Sequence, residues 1–229
     1  MTLKRLVLLV EGDGDVQAAP VLLKRLLADC GAFDVVRLDP HPLRVGEYGR
    51  ICKDSFSEWR RFLQVAAKRS DLGGCLLILD GDSRLMVDGQ PFCAMRAARF
   101  LAGEARRVGG GTLFSVAFVF ACMEFESWLI AGATTLAGKS FTDGRKELPE
   151  RIDPVPVDPQ SAPRDAKGWF RRIMKTGYKP TRDQAELTRL VDLDAVRQRG
   201  MRSFRRLEHA VKELVEAIRC GDHRVAPTA

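Results

Sequence analysis

Cys75-Leu76-Leu77-Ile78-Leu79-Asp80-Gly81-Asp82-Ser83 is an apolar, branched stretch that stops at a pair of aspartates. Short runs of this composition, bounded by turn residues, read as strands buried on both faces, the kind that build parallel sheets. Two other stretches repeat the pattern. Val7-Leu8-Leu9-Val10 ends in Glu11-Gly12-Asp13-Gly14-Asp15, and Val116-Ala117-Phe118-Val119-Phe120 runs through Ala121-Cys122-Met123 into Glu124-Phe125-Glu126. In open α/β sheets ligands bind at the carboxyl ends of the strands, so acids delivered there converge on one rim. Carboxylates gathered without bases repel one another and raise their own pKa values unless a cation neutralises them. A divalent metal is the simplest resolution.

Outward from these strands the chain alternates. Val16 to Cys30 has helical character with Val21, Leu22, Leu26 and Leu27 on one face, and Pro20 is tolerable only near a first turn. Asp34 to Leu38 reads as a second short strand and 39–54 as a polar, irregular loop. Phe56, Trp59, Phe62, Leu63 and Ala66 recur at helical spacing. A loop to Gln90 precedes a helix opened by Pro91 and running to about Arg107. The last apolar strand reaches Ala121 or Cys122, and Glu124 to Ala131 begins another helix. This order predicts a mainly parallel sheet covered on both faces.

Pro149, Pro154, Pro156, Pro159 and Pro163 interrupt the following region. Three parts are therefore expected: an α/β core over 1–138, a Pro-rich linker or surface excursion over 139–164, and a helical basic extension over 165–222 packed on the core. Within the extension, helices are expected near 166–174 and 183–190, with a longer one capped by Ser203 and buried through Leu207, Val211, Leu214 and Ile218.

The 229 residues, 45% of them hydrophobic, suffice for a full core. No apolar stretch approaches the roughly 20 residues that span a bilayer, and no apolar signal region opens the chain, so a cytoplasmic protein is expected. The six cysteines stand singly and read as reduced thiols, mostly in the core. The formal net charge is +7. It divides as +2 over 1–140 (18 Lys and Arg against 16 Asp and Glu) and +5 over 141–229 (19 against 14). A basic excess beside an acid rim suits a polyanion held by Lys and Arg while a metal acts on one phosphate; charge alone favours a solvated basic surface.

Glu11 to Asp15 lacks the third glycine of a dinucleotide loop, since position 17 is Gln17, and lacks the Gly-Lys-Ser/Thr of a P-loop. Counted from Glu11 or Asp80, the sixth and twelfth positions are wrong for an EF-hand. Asp80-x-Asp82 offers hard oxygen ligands that suit Mg²⁺ or Mn²⁺, its alternative being an Asx-turn that binds nothing. Glu124 and Glu126, two apart, point to different faces of a helix and reach one ion only if Glu124 still lies in the turn. Trp128 reads as core. Lys179 in a loop can offer a cation to a phosphate or be an ordinary surface lysine.

A glutamate in a Glu-Gly turn after the first strand, with Asp-x-Asp after the third strand of a small parallel sheet, resembles the Toprim fold of topoisomerases, bacterial primases and nucleases of the overcoming-lysogenisation-defect class. The whole order is similar to a bacterial Toprim-related family of domains of unknown function: Val-Glu-Gly, Asp-Gly-Asp, Glu-Phe-Glu-x-Trp, a Tyr-Lys with a following Gln, and a late Ser-Phe-Arg-Arg-Leu. The resemblance covers roughly 4–220 and implies a Toprim-like α/β fold. It places the Toprim glutamate on Glu11 and the paired aspartates on Asp80 and Asp82, with a further acid of the nuclease branch on Asp15.

The resemblance implies a Mg²⁺-dependent (or Mn²⁺-dependent) nuclease hydrolysing DNA or RNA. Glu11, Asp15, Asp80, Asp82, Glu124 and Glu126 would be metal ligands, Glu11, Asp80, Asp82 and Lys179 catalytic, and Arg171, Arg172, Lys175, Arg205 and Arg206 candidates for holding the nucleic-acid backbone. An ATPase partner and a place in phage defence follow from the same likeness. The alternative is a non-catalytic Toprim-like regulatory subunit that binds metal or nucleotide.

Overall fold

Two cores, one on each face of the main sheet, follow from central strands that are apolar at nearly every position. The computed structural model describes residues 3–87, 89–153 and 165–227. β1 (Lys4–Val10) leads into α1 (Asp13–Asp29), followed by β2 (Val36–Leu38), β3 (Leu43–Arg44), α2 (Tyr48–Ile51), α3 (Lys53–Ala67) and β4 (Leu72–Asp80). β5 (Met86–Val87) and β6 (Gln90–Pro91) pair with each other as a small antiparallel hairpin. Next come α4 (Ala94–Arg107), β7 (Ser115–Ala121) and α5 (Glu126–Ala131). After residues 154–164, the part of the expected Pro-rich stretch (139–164) that lies outside the described residues, come α6 (Ala166–Ile173), a π turn (Pro180–Gln184), α7 (Ala185–Leu190), α8 (Leu193–Gln198), α9 (Arg202–Cys220) and β8 (Val225–Ala226).

The sheet runs β2-β1-β4-β7-β8, with β3 also pairing with β1, and all its pairings are parallel. Leu6, Leu8, Val10, Leu76, Ile78, Ala117 and Val119 enter one core with α1, α5, α6 and α9, while Val7, Leu9, Leu77, Leu79, Phe118 and Phe120 enter the other with α3 and α4. Side chains alternate across a strand, so each strand feeds both cores in turn. Each fully buried Leu or Val stabilises by about 1.5–3 kcal/mol.

Register places the acid rim. Val10 stands opposite Ile78, and Asp80 opposite Ala121, so β1, β4 and β7 end close together. β4 starts earlier than Cys75 because its glycines admit α9. A Cβ on Gly73 would lie 2.9 Å from Ile218 Cδ1, and one on Gly74 3.2 Å from Leu214 Cδ2.

Several local expectations are corrected. Pro20 lies in the interior of α1, because the helix starts at Asp13 and is held to the sheet by buried Ala18, Ala19, Leu22 and Leu23. That packing outweighs the backbone hydrogen bond that proline removes. Residues 39–54 hold β3 and α2 rather than irregular loop, and Pro91 belongs to β6 instead of opening α4. Ser203 does not cap α9, whose cap is Met201; it lies inside the helix, where its Oγ accepts the Nε1–H of buried Trp128 at 2.9 Å. Trp128 is core, as expected. Only Cys75 among the cysteines is buried, so the thiols are not mostly core; Cys93 and Cys220 are exposed.

Candidate functional site

Glu11 leaves β1 beside the end of β4, where its Oε2 accepts the backbone N–H of Asp80 at 3.0 Å. Asp80 Oδ1 in turn accepts the N–H of Phe125 at 2.9 Å, at the turn into α5. The turn is tight: Met123 adopts a positive φ of 69°, and its carbonyl receives the Gly81 N–H at 3.0 Å. A Cβ on residue 81 would come 2.4 Å from Ala121 O, so the approach of the two strand ends requires glycine.

α1 adds Asp15. Its carboxylate accepts the Gly12 N–H at 2.8 Å and Gln184 Nε2–H at 2.8 Å, the second from the π turn. Gly14 makes this contact possible, since a Cβ there would stand 2.1 Å from Gln184 Oε1 and 2.6 Å from Pro180 Cβ. A cleft of about 270 Å³ opens here, lined by Glu11, Asp15, Asp80, Lys167, Thr181 and Gln184 among others.

Among the described residues that line this cleft, Lys167 is the cation. Its Nζ lies 3.4 Å from Asp80 Oδ2 and 3.8 Å from both Glu124 Oε2 and Glu126 Oε2, while its backbone N–H donates to Glu124 Oε2 at 3.2 Å. Glu124 therefore belongs to the turn and Glu126 to the helix, and both reach the same point. Tyr178 OH donates to Glu126 Oε1 at 2.8 Å; Glu126 Oε2 is buried without a hydrogen-bond partner.

The electrostatics follow from crowding and burial. Burial pushes the Glu11 carboxyl up to about 7 against the hydrogen bond from Asp80, and pushes Glu126 up to about 7 against Lys167 and Tyr178. Asp80 is raised well above the ordinary aspartate value by burial, Lys167 opposing, and Asp15 is raised by burial despite Gly12 and Gln184. Burial alone would lower Lys167, yet Glu126, Asp80 and Glu124 outweigh it and hold the ammonium charged. Tyr178 is raised by burial and by Glu126.

Glu11, Asp15, Asp80, Glu124 and Glu126 are thus brought together. Asp82 is exposed just beyond, near enough to raise Glu11. Lys179 is not brought in: its side chain is exposed, and its backbone N–H donates to Asp183 Oδ2 at 2.9 Å. Arg171, Arg172 and Lys175 are exposed on and after α6, the helix that carries Lys167 into the cleft. Arg205 is exposed on α9, and Arg206 pairs with Glu213 at 2.9 Å. Sequence reasoning missed Lys167, because its partner Asp80 is 87 positions away and nothing local distinguishes it from the neighbouring basic residues.

The donor set is all hard oxygen, and the orphaned Glu126 Oε2 suits a divalent cation. Among the described residues, however, no three acidic, His or Cys side chains stand as a preformed metal shell. Lys167 occupies the middle of the cluster instead.

Fold and site define an α/β protein with a mainly parallel sheet and a carboxylate cleft at its carboxyl edge. The chain belongs to the family described as domain of unknown function DUF4276, whose sequence pattern matches residues 10–212. No curated protein matches the chain, and no solved structure does. Among the described residues, no helix is long and apolar enough to cross a membrane.

Proposed function

We propose that this protein is a Toprim-related nuclease that hydrolyses phosphodiester bonds of DNA or RNA with the help of Mg²⁺ or Mn²⁺. The observation that carries the reading is the tie from Glu11 to the Asp80 amide, which joins the Glu-Gly turn and the Asp-x-Asp segment at one cleft. Glu11, Asp80 and Asp82 would hold the principal ion, with Asp15, Glu124 and Glu126 as further acids. A divalent ion bound there would offset the rim's negative charge and polarise a phosphate.

The chain's own groups have separate tasks. Lys167, rather than Lys179, is the cation positioned to meet charge developing on a phosphate at this rim. Tyr178 orients Glu126, whose carboxyl, pushed up to about 7 by burial, can hold or release a proton near neutral pH. Arg171, Arg172 and Lys175 would hold the nucleic-acid backbone, with affinity falling as salt rises. The Toprim likeness extends the proposal to a cytoplasmic role in phage defence beside an ATPase partner.

One observation favours a second reading, a non-catalytic Toprim-like regulatory module that binds metal or nucleotide: the acids are not arranged as a ready-made shell. The deciding experiment offers labelled single- and double-stranded DNA and RNA to the purified protein with Mg²⁺ or Mn²⁺, beside EDTA and Asp80→Asn. Metal-dependent cutting lost in the variant supports the nuclease. A folded protein that binds Mn²⁺ without cutting supports the regulatory module, one that binds no metal sinks the nuclease, and one that binds neither metal nor nucleotide sinks both.

A further inference from the structure

A hollow of about 470 Å³ lies behind the acid rim, between α4, the carboxyl end of β7 and the first turns of α9. Met95, Ala98, Phe118 and Phe120 make its apolar wall, and Arg202 and Arg206, one helical turn apart, stand at its basic side. Its size falls within the roughly 300–1,000 Å³ of small-molecule sites. We propose that this hollow is a subsite for a nucleoside monophosphate unit, the nucleotide neighbouring the phosphate handled at the acid rim. The inference rests on the nuclease reading for its role, though its ligand chemistry stands on the hollow itself.

Three observations carry it. Gly81, which lines the hollow, directly follows Asp80, so the hollow begins one residue beyond the acid cleft on the same strand tip. A nucleotide seated there places its phosphodiester beside the tip that carries Asp80 and Asp82. Next, the wall is apolar and partly aromatic, which a base can cover by stacking with little demand on sequence. Last, Arg206 lines the hollow; it spends Nη1 on Glu213 at 2.9 Å and approaches His209 Nδ1 at 3.4 Å, whereas Nη2 has no hydrogen-bond partner and is closed to solvent, so it meets a ligand oxygen once the guanidinium turns toward the hollow. Buried guanidinium donors are ordinarily satisfied, and an anionic oxygen satisfies them best. A flat apolar group joined to an anion answers both halves of the site, and a nucleotide is that combination.

The test is calorimetric titration of the full chain in EDTA with adenosine 5′-monophosphate and thymidine 5′-monophosphate, beside adenosine and inorganic phosphate. EDTA removes metal-mediated phosphate binding at the acid rim. We expect both mononucleotides to bind more tightly than adenosine or phosphate. Arg206→Gln should weaken them by about tenfold or more, the loss of a charge-assisted hydrogen bond. Ala94→Trp, which fills the hollow, should abolish binding; should it fail to fold, Met95→Glu at the exposed mouth serves in its place through repulsion of the phosphate. No mononucleotide binding, equal binding of inorganic phosphate, or binding indifferent to these substitutions overturns the subsite. Cleavage by a protein whose hollow binds no mononucleotide would overturn the subsite alone, whereas binding by a protein that never cuts would uphold it and remove the catalytic reading.

Discussion

The N–H of Asp80 donates to Glu11 Oε2 at 3.0 Å, and Asp80 Oδ1 accepts the N–H of Phe125 at 2.9 Å, so the ends of β1, β4 and β7 are chained by carboxylate-to-amide bonds. The side chains that would bind a ligand also hold the rim together. Glu11→Gln keeps an acceptor for the Asp80 amide but loses the charge, so its fold should survive while Mn²⁺ affinity falls by at least about tenfold. Isothermal titration with Mn²⁺ and circular-dichroism melting check this; unchanged affinity would remove Glu11 from the ligand set.

Stability without metal should fall as pH rises from about 4.5 to about 7. The unfolded chain releases the protons of Glu11 and Glu126 near 4.5, whereas the folded protein keeps them to about 7. The folded state binds more protons in that window, so raising pH favours unfolding. Asp39 and Asp183 work oppositely. Burial would raise both, but His41 N–H with Arg5 and Arg69 holds Asp39 low, and Arg182, the Lys179 N–H and Arg145 hold Asp183 low; their stabilisation is lost only in more acid solution. Melting temperatures in EDTA from pH 4 to 8 should peak below neutrality, and Mg²⁺ should recover the loss at pH 7–8. A profile flat through 5–7 contradicts the raised values.

Lys167→Met should destabilise by about 1–3 kcal/mol, less than the loss from breaking a fully buried pair because the lysine is partly solvated. It leaves Asp80, Glu124 and Glu126 without their ammonium, so the deficit should grow with pH and shrink with Mg²⁺. Lys179→Met should change stability by less than about 0.5 kcal/mol, as an exposed substitution does. Chemical denaturation of the two variants at pH 6 and 8 separates them.

Gly14→Ala should cost about 1–3 kcal/mol, because the added methyl meets Gln184 Oε1 and Pro180 and forces α1 away from the π turn. A drop of roughly 2–4 °C in melting temperature per kcal/mol is the readout. A variant melting with the parent would mean that the turn moves freely.

Tyr178→Phe removes the hydroxyl that donates to Glu126 Oε1. With Oε2 already lacking a hydrogen bond and only the Lys167 ammonium beside it, the carboxyl loses the Tyr178 donor and should titrate still higher, at a cost of about 1–3 kcal/mol at pH 8 and less at pH 5. Carbon-13 NMR of Glu126 follows the titration directly; an unmoved midpoint would contradict the assigned role of Tyr178.

The parallel sheet was legible because β1, β4 and β7 are apolar at nearly every position and end in acids. Those residues alone state that the strands are buried on both faces and that Glu11, Asp80 and Glu124 leave on one edge. Local composition was less informative where packing overrode it: Pro20 inside α1, Ser203 inside α9, and the short elements in 39–54 all depend on partners distant in the chain. What only the tertiary structure decided is the electrostatic centre of the cleft. Glu124 and Glu126 converge because Met123 turns the chain with a positive φ, and Lys167 reaches them because α6 packs back against α5 from far along the chain. Strand periodicity is written in neighbouring residues, whereas a cation's choice of partners is set by a fold that brings distant residues within 4 Å.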